Sequence, residues 1–244
     1  MFHTQWSANE AILSGQNRGG TKGLYQEIGQ RFRTYGVERV LISGIPLPGR
    51  DMSKLVLHQN WGQEPLTPVQ LSQIRGNDAL VRRLAVAHRP VRLLSNGAET
   101  EWLANAPLYG LLKRNSGDQN GFDSLIGMHI PLEQLQILIL LAGANVTISD
   151  ADLCNAMSMI SRDMEAMHSV KPLLPPRPGE LSVREKMVLS KTAEGKTAND
   201  IAVELEISQR TVHAHLQNAS EKMQAANKTQ TVVEALRYAQ ISLA

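Results

Sequence analysis

The chain has 244 residues, 42% of them hydrophobic and 4% aromatic, with a formal net charge of +2. This composition supports a packed core, excludes wholesale disorder, and leaves room for one large domain or two ordinary ones. The single cysteine, Cys154, excludes an internal disulfide and fits a reducing cytoplasm, while the near-neutral charge neither demands nor forbids a nucleic-acid partner.

The first residues lack a basic region followed by an apolar run, so no signal peptide is expected. Apolar spacing predicts a helix over 9–35, burying Ile12, Leu24, Ile28 and Phe32. Residues 37–45 (VERVLISGI) read as a strand ended by Pro46 and Pro48. A second strand at 54–58 makes a hairpin with it. Helices are predicted at 66–74 and 79–87, a short extended piece at 91–94, and one helix over 101–112. A turn at 117–121 (GDQNG) precedes two more strands, 122–131 and 136–147. The most apolar run, 132–146, is broken by Glu133, Gln134, Gln136 and Gly143. It is too short and too polar to span a bilayer, so no membrane partner is expected. A helix over 149–168 starts at Ser149, with Leu153, Met157, Ile160, Met164 and Met167 on one face. That face is either core or a dimer seam.

Four prolines in the stretch 171–180 forbid helix and mark a spacer. It separates a domain at 1–170 from one at 181–244. The second domain carries eight Lys/Arg against seven Asp/Glu, so a DNA-binding claim must rest on placement rather than bulk charge. Its helix starts are written plainly: Ser182 with Glu185, Thr197 with Asp200, Ser208, and Asn227 with Gln230. Ile207 is placed to staple onto Val212. Residues 205–208 form a turn of the length a helix-turn-helix needs. With Ile207, Val212, Leu216 and Met223 inward, Gln209, Arg210, His213, Ala214, Gln217 and Lys222 face outward. Such a face is either solvated surface or a set of base readers. His3, His58, His88, His129 and His168 show no metal spacing. Neither a phosphate loop nor a nucleophile elbow is present, so no enzyme activity, catalytic residue, metal or cofactor is expected.

These C-terminal residues resemble the DNA-binding domain of LuxR-type transcription regulators. The resemblance runs through LS-x-RE (Leu181 to Glu185), A-E-G-K-T (Ala193 to Thr197), IA-x-x-L-x-IS (Ile201 to Ser208) and R-TV-x-x-HL-x-N (Arg210 to Asn218). It implies a four-helix module whose third helix enters the major groove of double-stranded DNA. It places base reading on His213, Ala214 and Gln217. Lys196, Thr197, Ser208, Arg210, Thr211 and Asn218 suit phosphate contacts. It further implies a dimer, either of identical chains or with a related regulator, and RNA polymerase as a further partner.

The N-terminal domain resembles the family's acyl-homoserine-lactone-binding domain, which implies an α-β-α sandwich with an antiparallel sheet. Residues 60–93 align with the ligand-pocket segment. Asp78 falls on the aspartate that accepts the ligand amide, and Arg89 and Pro90 stay in register. The pocket tryptophan and tyrosine correspond to Pro65 and Val69, the proline after the aspartate to Ala79, and a second tryptophan to Leu93; Trp61 is near but out of register. Neither Pro65 nor Val69 has a side-chain donor for a lactone carbonyl. The expectation is a DNA-binding regulator that does not respond to a typical acyl-homoserine lactone. Asp78 is then either a helix cap or a ligand acceptor. Two alternatives stay open: a heterodimerising partner or anti-activator of a related regulator, and a quorum-sensing regulator of an atypical small ligand.

Overall fold

The computed structural model describes residues 20–62, 64–94, 100–116, 121–132, 135–170 and 179–242. Five strands form one antiparallel sheet: β1 (Arg39–Gly44), β2 (Val56–Asn60), β3 (Val91–Leu94), β4 (Ser124–Leu132) and β5 (Leu135–Gly143). Their order is β2-β1-β5-β4-β3. The longest pairing is the β4–β5 hairpin, in register from Ser124↔Gly143 to Leu132↔Leu135. All nine residues of β5 are buried. That is why its sequence is a nearly continuous apolar run rather than an alternation.

The pleat sorts side chains by face. Ile126, Met128, Ile130, Ile137, Ile139 and Leu141 point to one side, where α1 (Gly20–Arg33) supplies Tyr25, Ile28 and Phe32 and α6 (Asp150–Val170) supplies Leu153, Ile160 and Met164. On the opposite side Leu125, Leu138 and Leu140 meet α2 (Pro68–Leu71), α3 (Ala79–Ala85), α4 (Thr100–Ala104) and α5 (Pro107–Arg114). The result is the expected α-β-α sandwich. Helix α6 starts at the expected cap, with the Asp152 amide donating to the Ser149 hydroxyl at 3.1 Å. Met164 is fully buried, while Met157 and Met167 are half-buried.

Four expected elements differ. The strand expected to reach residue 147 ends at Gly143. The predicted 101–112 helix is two helices, because Pro107 cannot continue α4 and instead opens α5 at its first turn. The 66–74 helix shrinks to the single turn of α2, and the Ile74 carbonyl is taken by the Met52 amide at 2.9 Å. Strand β2 lies two residues later than predicted, since the Leu55 carbonyl accepts the Gly44 amide and the register shifts between Ile42 and Ser43. The expected start of the first helix, including Ile12, lies outside the described residues.

After residue 178 the chain is all helix: α7 (Val183–Ala193), α8 (Ala198–Glu204), α9 (Gln209–Met223) and α10 (Lys228–Arg237). Val188, Ile201, Ala202 and Val212 form the core of the first three, with Ile207 and Leu216 packed against it.

Candidate nucleic-acid interface

Each of these helices begins at a side-chain cap. Ser182 and Glu185 bond reciprocally, as do Thr197 and Asp200. The Ser208 hydroxyl accepts the Thr211 amide at 3.0 Å, and Asn227 accepts the Gln230 amide at 2.9 Å. Each cap satisfies a backbone donor that would otherwise lack an intrahelical partner, worth about 1 kcal/mol. Gly195 carries the chain out of α7 at φ +86°, a left-handed conformation that glycine adopts without strain. The turn from α8 to α9 also needs a left-handed residue, and here it is Glu206 at φ 54°. Gln209 donates to Asn199 across that turn at 2.7 Å, which fixes α9 against α8.

The apolar side of α9 buries Val212, Ala219 and Met223. Its opposite side exposes Gln209, Arg210, His213, Ala214, Gln217 and Asn218. Thus the three expected base readers lie on one open face, one helical turn apart. Gln217 is steadied by Glu221 at 3.2 Å. Ala214 between its polar neighbours leaves a shallow spot suited to a thymine methyl. Ser208 and Thr211 sit at the start of α9, where exposed backbone N–H groups favour a phosphate.

Two lysines differ from a simple basic face. Lys222, expected outward, turns back and donates to Glu185 at 2.8 Å. Glu185 is buried and also accepts the Ser182 amide at 2.7 Å, so one carboxylate ties the start of α7 to the end of α9. Burial raises its pKa, but the Lys222 ammonium and the Ser182 bonds outweigh this and hold it below its ordinary value. Lys196 pairs with Glu204 and with Glu194 at 3.5 Å, and Lys191 reaches Glu204 at 2.7 Å. A phosphate at Lys196 therefore competes with Glu204. None of Asn199, Glu204 or the Glu185–Lys222 bridge stood out in the sequence. Only the bridge had a signal, the acidic half of the first capping box.

In the sheet domain Asp78 is the N-cap of α3. Its Oδ1 accepts the amides of Leu80 at 2.8 Å and Val81 at 3.1 Å, and its Oδ2 accepts that of Leu108 at 2.8 Å. Burial raises its pKa above the ordinary aspartate value despite these three donors. The Trp61 indole N–H is spent on the Leu112 carbonyl at 2.9 Å. Pro65 is exposed, Val69 is 74% exposed, and Leu93 is buried. On the same face of the sheet, His129 Nε2 and Gln136 Oε1 are buried without a hydrogen-bond partner among the described residues. A separate polar cleft of about 460 Å³ lies beyond the other face, lined by Gln26, Gln30, Arg33, Glu38, His58 and Asn60. Asp78 takes no part in it.

Residues 179–235 match the family described as "Bacterial regulatory proteins, luxR family". The spore germination protein GerE of Bacillus subtilis is 40% identical over 63 residues, which are 26% of this chain and 85% of GerE. The chain belongs to the LuxR family. It is a DNA-binding transcription regulator of the LuxR type with an autoinducer-binding-like N-terminal domain. The likeness extends into that domain: the transcriptional activator BjaR1 of Bradyrhizobium diazoefficiens is 26% identical over 216 residues, 85% of this chain and 84% of BjaR1. Among solved structures, Escherichia coli SdiA matches in fold with a TM-score of 0.50 at 20% identity, covering 92% of this chain and 93% of SdiA. These relatives are regulators rather than enzymes. Among the described residues no helix is long and apolar enough to cross a membrane.

Proposed function

We propose that this LuxR-type regulator works in the cytoplasm as a dimer and reads its operator through His213, Ala214 and Gln217, without a typical acyl-homoserine lactone as its trigger. Lys196, Thr197, Ser208, Arg210, Thr211 and Asn218 anchor the phosphates, and RNA polymerase is the downstream partner. The observation that carries the lactone-independent reading is the state of the donors and acceptors around Asp78. Asp78 Oδ1 already accepts two backbone amides and Oδ2 one, so the carboxylate is committed to the fold, and the Trp61 N–H is spent on the Leu112 carbonyl. Pro65 and Val69 add no side-chain donor. A lactone carbonyl that relied on donors at those three positions would lose its hydrogen bonds to water without replacement.

The test is operator binding by protein purified from cells that make no lactone, with and without a panel of acyl-homoserine lactones. Unchanged affinity supports the reading, and a tenfold or greater gain with any of them refutes it. A second reading, an atypical small ligand, is favoured by His129 and Gln136. Two buried acceptors on the sheet face that also meets α3 would suit a ligand bearing hydroxyl or amide donors. Heterodimer formation with a related regulator, or its sequestration, would instead be seen by light scattering of mixtures. The exposed α9 face favours direct DNA binding over pure sequestration.

A further inference from the structure

Only part of the DNA-binding module's core closes on itself. Leu181, Leu189, Met223, Ala235 and Tyr238 are continuous with the half-core that α2 to α5 form against the sheet. At the junction Tyr238, only 2% exposed, donates its hydroxyl to the Gly76 carbonyl at 2.9 Å. Gly76 sits in a slot, where a Cβ would come within 2.6 Å of the Pro46 carbonyl oxygen and 2.7 Å of that of Leu47. Only glycine fits between two backbone oxygens at that distance. Beside it the Gln224 side chain, at the end of α9, lies so close to Gly49 that a Cβ there would be 2.0 Å from its Nε2. The Gly49 carbonyl is held by the Arg75 guanidinium at 3.0 Å.

The acceptor of the Tyr238 bond is two residues from Asp78, in the turn closed by the Asp78 amide on the Arg75 carbonyl at 2.9 Å. Asp78 in turn holds the starts of both α3 and α5. One short turn thus touches the DNA-binding module at Gly76 and anchors the starts of α3 and α5 at Asp78. In the docked state His213, Ala214 and Gln217 remain exposed, so docking presents the reading face rather than covering it.

We propose that Tyr238 latches the DNA-binding module onto the 75–78 turn, so that the setting of α9 and the state of the Asp78 side of the sheet are coupled through two peptide units. This rests on the DNA-binding reading. Removing the hydroxyl while keeping the ring strips one buried hydrogen bond from the docked state, which corresponds to a rise of about 2–10-fold in the undocked share.

The test is pulsed-EPR distance measurement on full-length dimer, with spin labels at Thr147→Cys and Val203→Cys in a Cys154→Ser background, diluted in unlabelled protein. The unsubstituted latch gives a single narrow distance without DNA. Tyr238→Phe adds a second, broad population, and so does Gln224→Arg, an exposed site whose larger cation meets Arg50 and Arg75. Asp78→Asn does the same from two residues away. A broad distribution in the parent protein, or no change in both Tyr238→Phe and Gln224→Arg, overturns the latch. Broadening in those two but not in Asp78→Asn overturns the coupling through the turn. Operator binding of the unlabelled protein is measured alongside: a narrow distance with no DNA binding would sink the DNA-binding reading and leave the latch standing.

Discussion

Replacing Asp78 by alanine removes the side-chain acceptor shared by three backbone amides, those of Leu80, Val81 and Leu108. A buried N–H left without a partner costs about 1–3 kcal/mol. Three of them would total about 3–9 kcal/mol. Two effects reduce that sum: local relaxation lets water reach some of the amides, and the mutant no longer buries a carboxylate whose raised pKa marks a desolvation cost. A net loss of about 4 kcal/mol is expected, a large part of the 5–15 kcal/mol typical of a domain. Asp78→Asn keeps one oxygen but turns an N–H₂ toward a backbone donor, so it should lose about 1–3 kcal/mol. Urea denaturation followed by tryptophan fluorescence measures both, since Trp61 is buried in the same half-core. The ligand-free protein is the sample that matters. A loss below about 1 kcal/mol for Asp78→Ala, with an unchanged denaturant slope, would refute the anchoring role.

Other outcomes follow from the C-terminal module. Glu185→Ala breaks both the capping box and the tie to Lys222, and should cost the module about 1–2 kcal/mol in thermal unfolding; no measurable change would show the tie to be idle. Because the folded pKa of Glu185 is depressed, its contribution is present above the ordinary glutamate value and is lost as pH falls through the folded value. Asp78 behaves oppositely: its raised folded pKa makes ionisation costly, so its contribution is fully present below the ordinary aspartate value and is lost as pH rises through the raised value. Acid titration with separate probes for the two domains should therefore show the C-terminal module weakening first, and simultaneous loss would contradict this. Glu204→Gln removes one of the two carboxylates that hold Lys196 and Lys191, leaving Glu194, so it should tighten binding to cognate and scrambled duplex alike at low salt, while Lys196→Ala weakens both alike. A change confined to the cognate duplex would contradict the phosphate role.

The parts legible in the sequence were those fixed by neighbours in the chain. All four caps obey patterns four residues long, and the α9 face follows from Val212 and Met223 pointing inward. Strands β1, β4 and β5 announced themselves as apolar runs because the sheet is covered on both sides. What escaped depended on residues far apart. The third bond to Asp78 comes from Leu108, thirty positions away, so a cap and a ligand acceptor looked alike. Lys222 turned inward because Glu185, 37 residues earlier, is buried beside it. The one long helix expected at 101–112 failed for a local reason that the apolar spacing masked: Pro107 blocks the helix although Leu103, Leu108, Leu111 and Leu112 all face the core. The Tyr238 contact spans 162 residues and has no local signature at all.

Base reading by the exposed face of α9 is what the proposed function stands on. The most direct measurement is the affinity of the full-length protein and its Gln217→Ala variant for a selected cognate duplex and for a scrambled duplex, at one fixed salt concentration. The parent protein should prefer the cognate duplex by about 10³-fold or more. Gln217→Ala should then lose about 5–150-fold on the cognate duplex, the equivalent of about 1–3 kcal/mol, and nothing on the scrambled one. Equal losses on both duplexes, or no preference in the parent protein, would contradict it.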